Sequence, residues 1–115
     1  MNISVELNTL DELHIKGFIG GEIDAFTAPI LREKLSDITL LEKIHVELNL
    51  TDVSYMDSTG LGVFVGFYKS VTAANGHLEL TGLSSRLKRL FDITGLVEIM
   101  DIQATDKEVK IDETV

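Results

Sequence analysis

The stretch Ile44-His45-Val46-Glu47-Leu48-Asn49-Leu50, followed by Thr51-Asp52-Val53-Ser54-Tyr55-Met56-Asp57 and then Ser58-Thr59-Gly60-Leu61-Gly62, decides how this chain folds. Ile44, Val46, Leu48 and Leu50 interleave with His45, Glu47 and Asn49, the period-two pattern of a strand with one buried and one solvated face. Residues 51–57 read as a loop. Beyond it Leu61, Phe64, Val65 and Tyr68 recur at helical spacing, which predicts a helix over 58–74 closed by Asn75-Gly76. A parallel strand covered on both faces would be continuously apolar, so the alternation over 44–50 predicts helices mainly on one face of the sheet.

Towards the N-terminus, Ile3, Val5 and Leu7, then Leu13, Ile15, Gly17 and Ile19, alternate in the same way. They predict two strands joined through 8–12 as an antiparallel hairpin. Gly20-Gly21 breaks that pattern. Helical spacing begins near Thr27, with Pro29 in the first turn, where a missing N–H is harmless, and Leu31, Leu35 and Ile38 on one face. Towards the C-terminus, Leu78 and Leu80 mark a short strand. Ser84 reads as the N-cap of a third helix carrying Leu87, Leu90 and Phe91, ended by Gly95 with Leu96 behind it. A last short strand is expected over 97–102, and the polar, acidic 103–115 reads as a short helix or a loose tail. The order predicts an α/β fold: a mixed four- to five-stranded sheet, mostly parallel, with an antiparallel N-terminal edge strand.

The 115 residues fit a single domain spanning 1–115, and 44% hydrophobic content is enough for a real interior. No run reaches the about 18 apolar residues of a membrane span. Met1-Asn2-Ile3-Ser4 carries neither a basic patch nor an apolar run, so no signal peptide is expected. Without cysteine there is no disulfide or thiolate metal site, which suits a reducing cytoplasm. The net charge of −9 repels phosphate backbones and anionic lipid heads, so direct binding to nucleic acid or membrane is not expected. An influence on transcription would have to pass through another protein.

The chemistry concentrates where the 44–50 strand hands over to the 58–74 helix. In open α/β sheets ligands and partners collect at that carboxyl edge. Either Asp57 or Ser58 can cap the helix. The Ser58 hydroxyl lies beside unpaired helix N–H groups, which suit a phosphate. Gly60-x-Gly62-x-x-x-Gly66 has the wrong spacing for a dinucleotide fingerprint, and there is no phosphate-binding Lys-Ser/Thr loop. Ser58 also lacks the Gly-x-Ser-x-Gly elbow of a hydrolase. Gly62 and Gly66 lie one turn apart, either for close packing or to leave room for a partner. His14 and His45 fall on polar strand faces and His77 near a turn, without ligand-like spacing. No metal, cofactor or catalytic residue is expected.

Asp57-Ser58-Thr59-Gly60-Leu61-Gly62, preceded by Val53-Ser54-Tyr55-Met56, resembles the phosphorylation segment of anti-sigma factor antagonists of the STAS fold. Gly21-Glu22-Ile23-Asp24, Leu83-Ser84 with Arg86-Leu87, and Arg89-Leu90-Phe91-Asp92-Ile93-Thr94-Gly95-Leu96 resemble further segments of that family in the same order. In detail the likeness is greater to the antagonists of the sigma-B stress pathway than to their sporulation counterparts. The resemblance implies a partner switch. The unphosphorylated protein binds an anti-sigma factor that is also a serine kinase, and so frees the sigma factor. Phosphorylation at the position of Ser58, rather than Thr59, blocks binding, and a PP2C-type phosphatase reverses it. ATP and magnesium would belong to those partners. Asp24, Asp57, Ser58, Thr59, Gly60 and Gly62 are the expected contact residues, with Asp24 either recognised by the kinase or serving as a turn carboxylate. The alternative is a response-regulator-like receiver phosphorylated on Asp57. It would need a pair of acids after an earlier strand and a lysine after a later one; Gly20-Gly21-Glu22 supplies at most one acid, and no lysine follows 97–102 until Lys107.

Overall fold

A computed structural model describes residues 2–104. Strand β1 (Ile3–Asp11) and β2 (His14–Ile23) form an antiparallel hairpin, followed by helix α1 (Ala28–Ser36), β3 (His45–Met56), α2 (Ser58–Ala73), β4 (His77–Leu83) and α3 (Ser85–Ile93). A 3-10 turn over Leu96–Glu98 leads to β5 (Asp101–Ala104). The strands lie in the order β1-β2-β3-β4-β5, and every pairing after the first is parallel. This is the expected mixed sheet with an antiparallel N-terminal edge. Leu48, Leu50, Leu80 and Ile19 are buried against Leu31 of α1, Phe64 and Val71 of α2 and Phe91 of α3, whereas His45, Glu47, His77 and Glu79 on the same strands are not. One face therefore holds the core, and the other is open.

Four boundaries differ from expectation. β1 runs through Asp11, so the hairpin turn is Glu12-Leu13 rather than 8–12. Gly20-Gly21 does not end β2; the strand continues to Ile23, with register shifts against β3 between Phe18 and Gly20 and between Gly21 and Glu22. Residues 51–56 are not a loop but the second half of β3, pairing Gly20 with Asp52, Gly21 with Val53 and Ile23 with Met56. The register shifts hid this half from a period-two reading: after Leu50 the buried positions are Val53 and Met56, three apart. Lastly, β5 begins at Asp101 instead of 97, because Leu96–Glu98 first completes a 3-10 turn behind the left-handed Gly95. Gln103 and Ala104 belong to β5, and the rest of the expected tail lies outside the described residues.

β4 pairs only with the first half of β3, from His45 to Asn49, so 50–56 projects past it alongside β2. The first turn of α2 starts on this projecting end and is pressed onto β2. A Cβ at Gly60 would lie 2.5 Å from Ile23 Cγ2 and 3.0 Å from the Ile23 carbonyl oxygen. Gly60→Ala therefore lowers stability by about 1–3 kcal/mol through overpacking, outweighing the about 1 kcal/mol that alanine gains in a helix. Urea unfolding measures the difference; a variant more stable than wild type would contradict this seating.

Candidate functional site

Asp57, extended at φ −109° and ψ −172°, is the N-cap of α2. Its Oδ1 accepts the Thr59 amide at 3.0 Å and the Gly60 amide at 3.1 Å. Of the two residues able to cap, the carboxylate takes the role, which leaves Ser58 at the first helical position. The Ser58 side chain is exposed, and its hydroxyl has no hydrogen-bond partner among the described residues. The free amides expected around it are reduced by the cap: those of Thr59 and Gly60 are already held by Asp57.

The Asp57 amide donates to the Ile23 carbonyl at 3.1 Å, which ties the start of α2 to the end of β2 and brings Asp24 to the same edge. Asp24 Oδ1 accepts the Phe26 amide at 2.9 Å and the Thr27 amide at 3.1 Å. The Thr27 backbone N–H is the main cause that holds the Asp24 carboxyl below its ordinary value. The buried Thr27 hydroxyl, 1% exposed, donates to the Glu22 carbonyl at 2.7 Å and accepts the Asp24 amide at 2.9 Å. Asp24 thus closes the turn from β2 into α1. Thr59 and Gly62 are exposed on α2, while Gly60 is buried beneath it.

Exposed apolar side chains that the sequence reading did not single out flank this edge. Phe26 is 74% exposed beside Asp24, Ile30 is exposed in the first turn of α1, and Tyr55 is 48% exposed on the strand end that leads to Asp57. Their signal in the sequence was weak, because Phe26 and Tyr55 sit between recognisable periodic segments. Among the described residues, Gly62 and Gly66 have no packing reason to be glycine: a Cβ at either would meet nothing within 4 Å. Both border a groove of about 300 Å³ between α1 and α2, with Leu35, Ile38, Val63 and Phe67 in its wall.

At the other end of the sheet, His14, His45 and His77 begin β2, β3 and β4 and are paired in register across the open face. Their ring centroids are 5.7 and 5.0 Å apart. His14 meets Asp11 at 2.9 Å, and His77 meets Asp101 at 2.8 Å. Parallel register creates this row, so their spacing along the chain could not reveal it. Among the described residues no group of three or more side chains is arranged to hold a metal ion.

Comparison with known proteins gives this edge a context. A match to the STAS domain spans residues 12–109. The chain belongs to the STAS-domain family. The anti-sigma-B factor antagonist of Listeria monocytogenes is 51% identical over 109 residues, covering 95% of this chain and 96% of the relative. That of Bacillus subtilis is 54% identical over 105 residues, covering 90% and 94%. The solved structure of the anti-sigma factor antagonist SpoIIAA in its unphosphorylated form matches with a TM-score of 0.66 at 20% identity, over 96% of this chain and 97% of that one. The phosphorylated form of SpoIIAA from Bacillus matches equally, with a TM-score of 0.66 at 24% identity over 97% and 100%. At those identities the likeness carries the fold. The STAS assignment sets the receiver alternative aside. No helix of the described residues is long and apolar enough to cross a membrane.

Two glycines in the body of a STAS helix, with open space where a side chain would be, make a direct prediction. Gly62→Ala and Gly66→Ala should each raise stability by up to about 1 kcal/mol, the helix-propensity difference. Thermal unfolding of the two variants checks this; a loss of stability in either would mean that the glycine is packed within the chain.

Proposed function

We propose that this chain is an anti-sigma factor antagonist, acting in the cytoplasm, whose docking is switched by phosphorylation of Ser58. The observation that carries the reading is the exposed Ser58 hydroxyl, unpartnered among the described residues, at the first position of α2 between exposed apolar groups. The names of the relatives, anti-sigma-B factor antagonists at 51–54% identity, support the role.

Unphosphorylated, the chain binds an anti-sigma factor and thereby releases a sigma factor, in this reading sigma-B. The anti-sigma factor is also the kinase. The Ser58 oxygen attacks the γ-phosphorus of the kinase's ATP; the hydroxyl proton is lost, the phosphoester forms and ADP leaves. A PP2C-type phosphatase uses water to return the serine and inorganic phosphate. Asp24 and Asp57 hold the two backbone turns that present Ser58, and Thr59 and Gly62 lie on the face that docks. The missing side chain at Gly62 lets a partner approach α2 closely.

The added charge of roughly −1.5 to −2 acts at the contact. Thr59 and Gly60 amides already belong to Asp57, so the phosphate stays on the solvent side, next to a carboxylate, in a chain of net charge −9. The helix dipole still offsets about 0.3–1 kcal/mol of that charge, which keeps the fold intact. Burial against a partner would strip its hydration, at several kcal/mol for a single ion. That is the scale of the about 5.5 kcal/mol that moves a balance from 1:99 to 99:1.

Incubating the chain with its anti-sigma factor and ATP should place phosphate on Ser58 in the mass spectrum, and Ser58→Ala should bind constitutively. Ser58→Asp should bind at least about tenfold more weakly, a difference of 1.4 kcal/mol. Phosphate mapped to Thr59, or both variants binding like wild type in the presence of ATP, would refute the switch.

A further inference from the structure

The strand end that presents Ser58 also floors a second feature. Tyr55 and Met56 of β3, with Leu87, Leu90 and Ile93 of α3, line an apolar cleft of about 230 Å³, and Arg86 and Arg89 of α3 complete its lining. Tyr55 is 48% and Ile93 is 75% exposed, so the apolar surface is open to solvent. Arg86 and Arg89 are exposed, three residues apart on one helix, and neither makes a hydrogen bond or ion pair among the described residues. The cation between them behaves differently: Lys88 is paired with Asp92 at 3.4 Å. Arg86 and Arg89 thus place two cations without a carboxylate partner among the described residues side by side at the rim of an apolar cleft.

We propose that this cleft is a second recognition element, which takes an apolar side chain flanked by carboxylates on the anti-sigma factor; the inference rests on the antagonist reading above. Three arguments select that occupant. The guanidinium fork matches a carboxylate in bidentate geometry, and arginine is the cation of choice at protein interfaces. The charge of −9 works against the other anionic choice, a nucleic acid or lipid surface. Finally, a stable interface buries about 800 Å² on each partner, far more than the first turn of α2 offers. Tyr55 and Met56 lead directly into Asp57 and Ser58, so a partner seated on Ser58 can extend onto α3 without a gap in the surface.

The test measures affinity of the full-length, unphosphorylated chain for purified anti-sigma factor, without ATP, by calorimetry at two salt concentrations. Arg86→Glu with Arg89→Glu should weaken binding on the order of 100-fold and reduce its salt dependence, as loss of complementary charge at an interface does. Arg86→Lys with Arg89→Lys should retain most of the affinity. Lys34→Glu with Lys43→Glu imposes the same change in net charge towards the opposite end of the sheet and should stay within about threefold of wild type, as expected for charges outside a contact. Circular dichroism confirms that each variant is folded. If the arginine reversal binds no more weakly than the lysine control, the cleft is not a contact and the inference falls. If the reversal instead alters self-association in sedimentation while leaving partner affinity unchanged, the occupant is a second copy of this chain and the inference is equally overturned. A Ser58→Asp arm separates the two readings: wild-type affinity there condemns the switch while the arginine result still stands. A wild-type chain that does not bind the anti-sigma factor at all removes both.

Discussion

Two hydrogen bonds from the Thr59 and Gly60 amides to Asp57 Oδ1 fix where α2 begins, and much of the site depends on that choice. An N-cap carboxylate is worth about 0.5–2 kcal/mol to a helix. Its positional effect is larger than its energy. With Asp57 as the cap, Ser58 falls at the first helical residue and its hydroxyl is left without a partner among the described residues. With Ser58 as the cap, the hydroxyl would have been spent on the backbone. The Asp57 amide reaching back to the Ile23 carbonyl, and Gly60 resting on Ile23, then lock this start against the end of β2. Asp24, one residue further, closes its own turn with its side chain, so both neighbouring carboxylates support the backbone that presents Ser58.

On the proposed reading, the same arrangement lets phosphorylation of Ser58 act on binding without acting on the fold. The first turn of α2 is fixed from beneath by Gly60 and Ile23 and from the side by Asp57, none of which involves the Ser58 side chain. Charge added to Ser58 meets no buried group that must move. It does meet any partner that closes over the edge, together with the negative charge already concentrated on this chain. In the proposed switch, the flanking apolar groups, Phe26 and Ile30 on one side and Tyr55 and Ile93 on the other, would supply area for docking, while the phosphate would supply the veto. Gly62 and Gly66 belong to the same economy of space, since no neighbour among the described residues requires them to lack a side chain.

The strand at 44–50 is legible in the sequence because its buried and solvated faces alternate without interruption, and Ser84 and Gly95 are legible because cap positions select those residues. The second half of β3 is not, because the register shifts opposite Gly20 and Glu22 move the buried positions from a spacing of two to three. Gly20-Gly21 looks like a break for the same reason: a bulge within a strand uses the residues that also end strands. At the site, the family resemblance singled out Ser58, but the residues alone could not decide between Asp57 and Ser58 as the cap, since both types favour that position. Surface features assembled from separate elements were the least legible. The cleft of Tyr55, Arg86 and Ile93 and the histidine row exist only once the sheet has set strands and helices side by side.

The central claim is that phosphate on Ser58 alters the docking edge and leaves the body of the domain in place. Backbone amide NMR shifts of the chain before and after phosphorylation test it most directly. The expected result is a set of shifts confined to the start of α2 and its neighbours, from Tyr55 to Leu61 and around Ile23 and Asp24, with β4 and the core side of α3 unmoved. Shifts spread through Leu78, Leu80 and Phe91 would mean that the switch refolds the domain, and would contradict it.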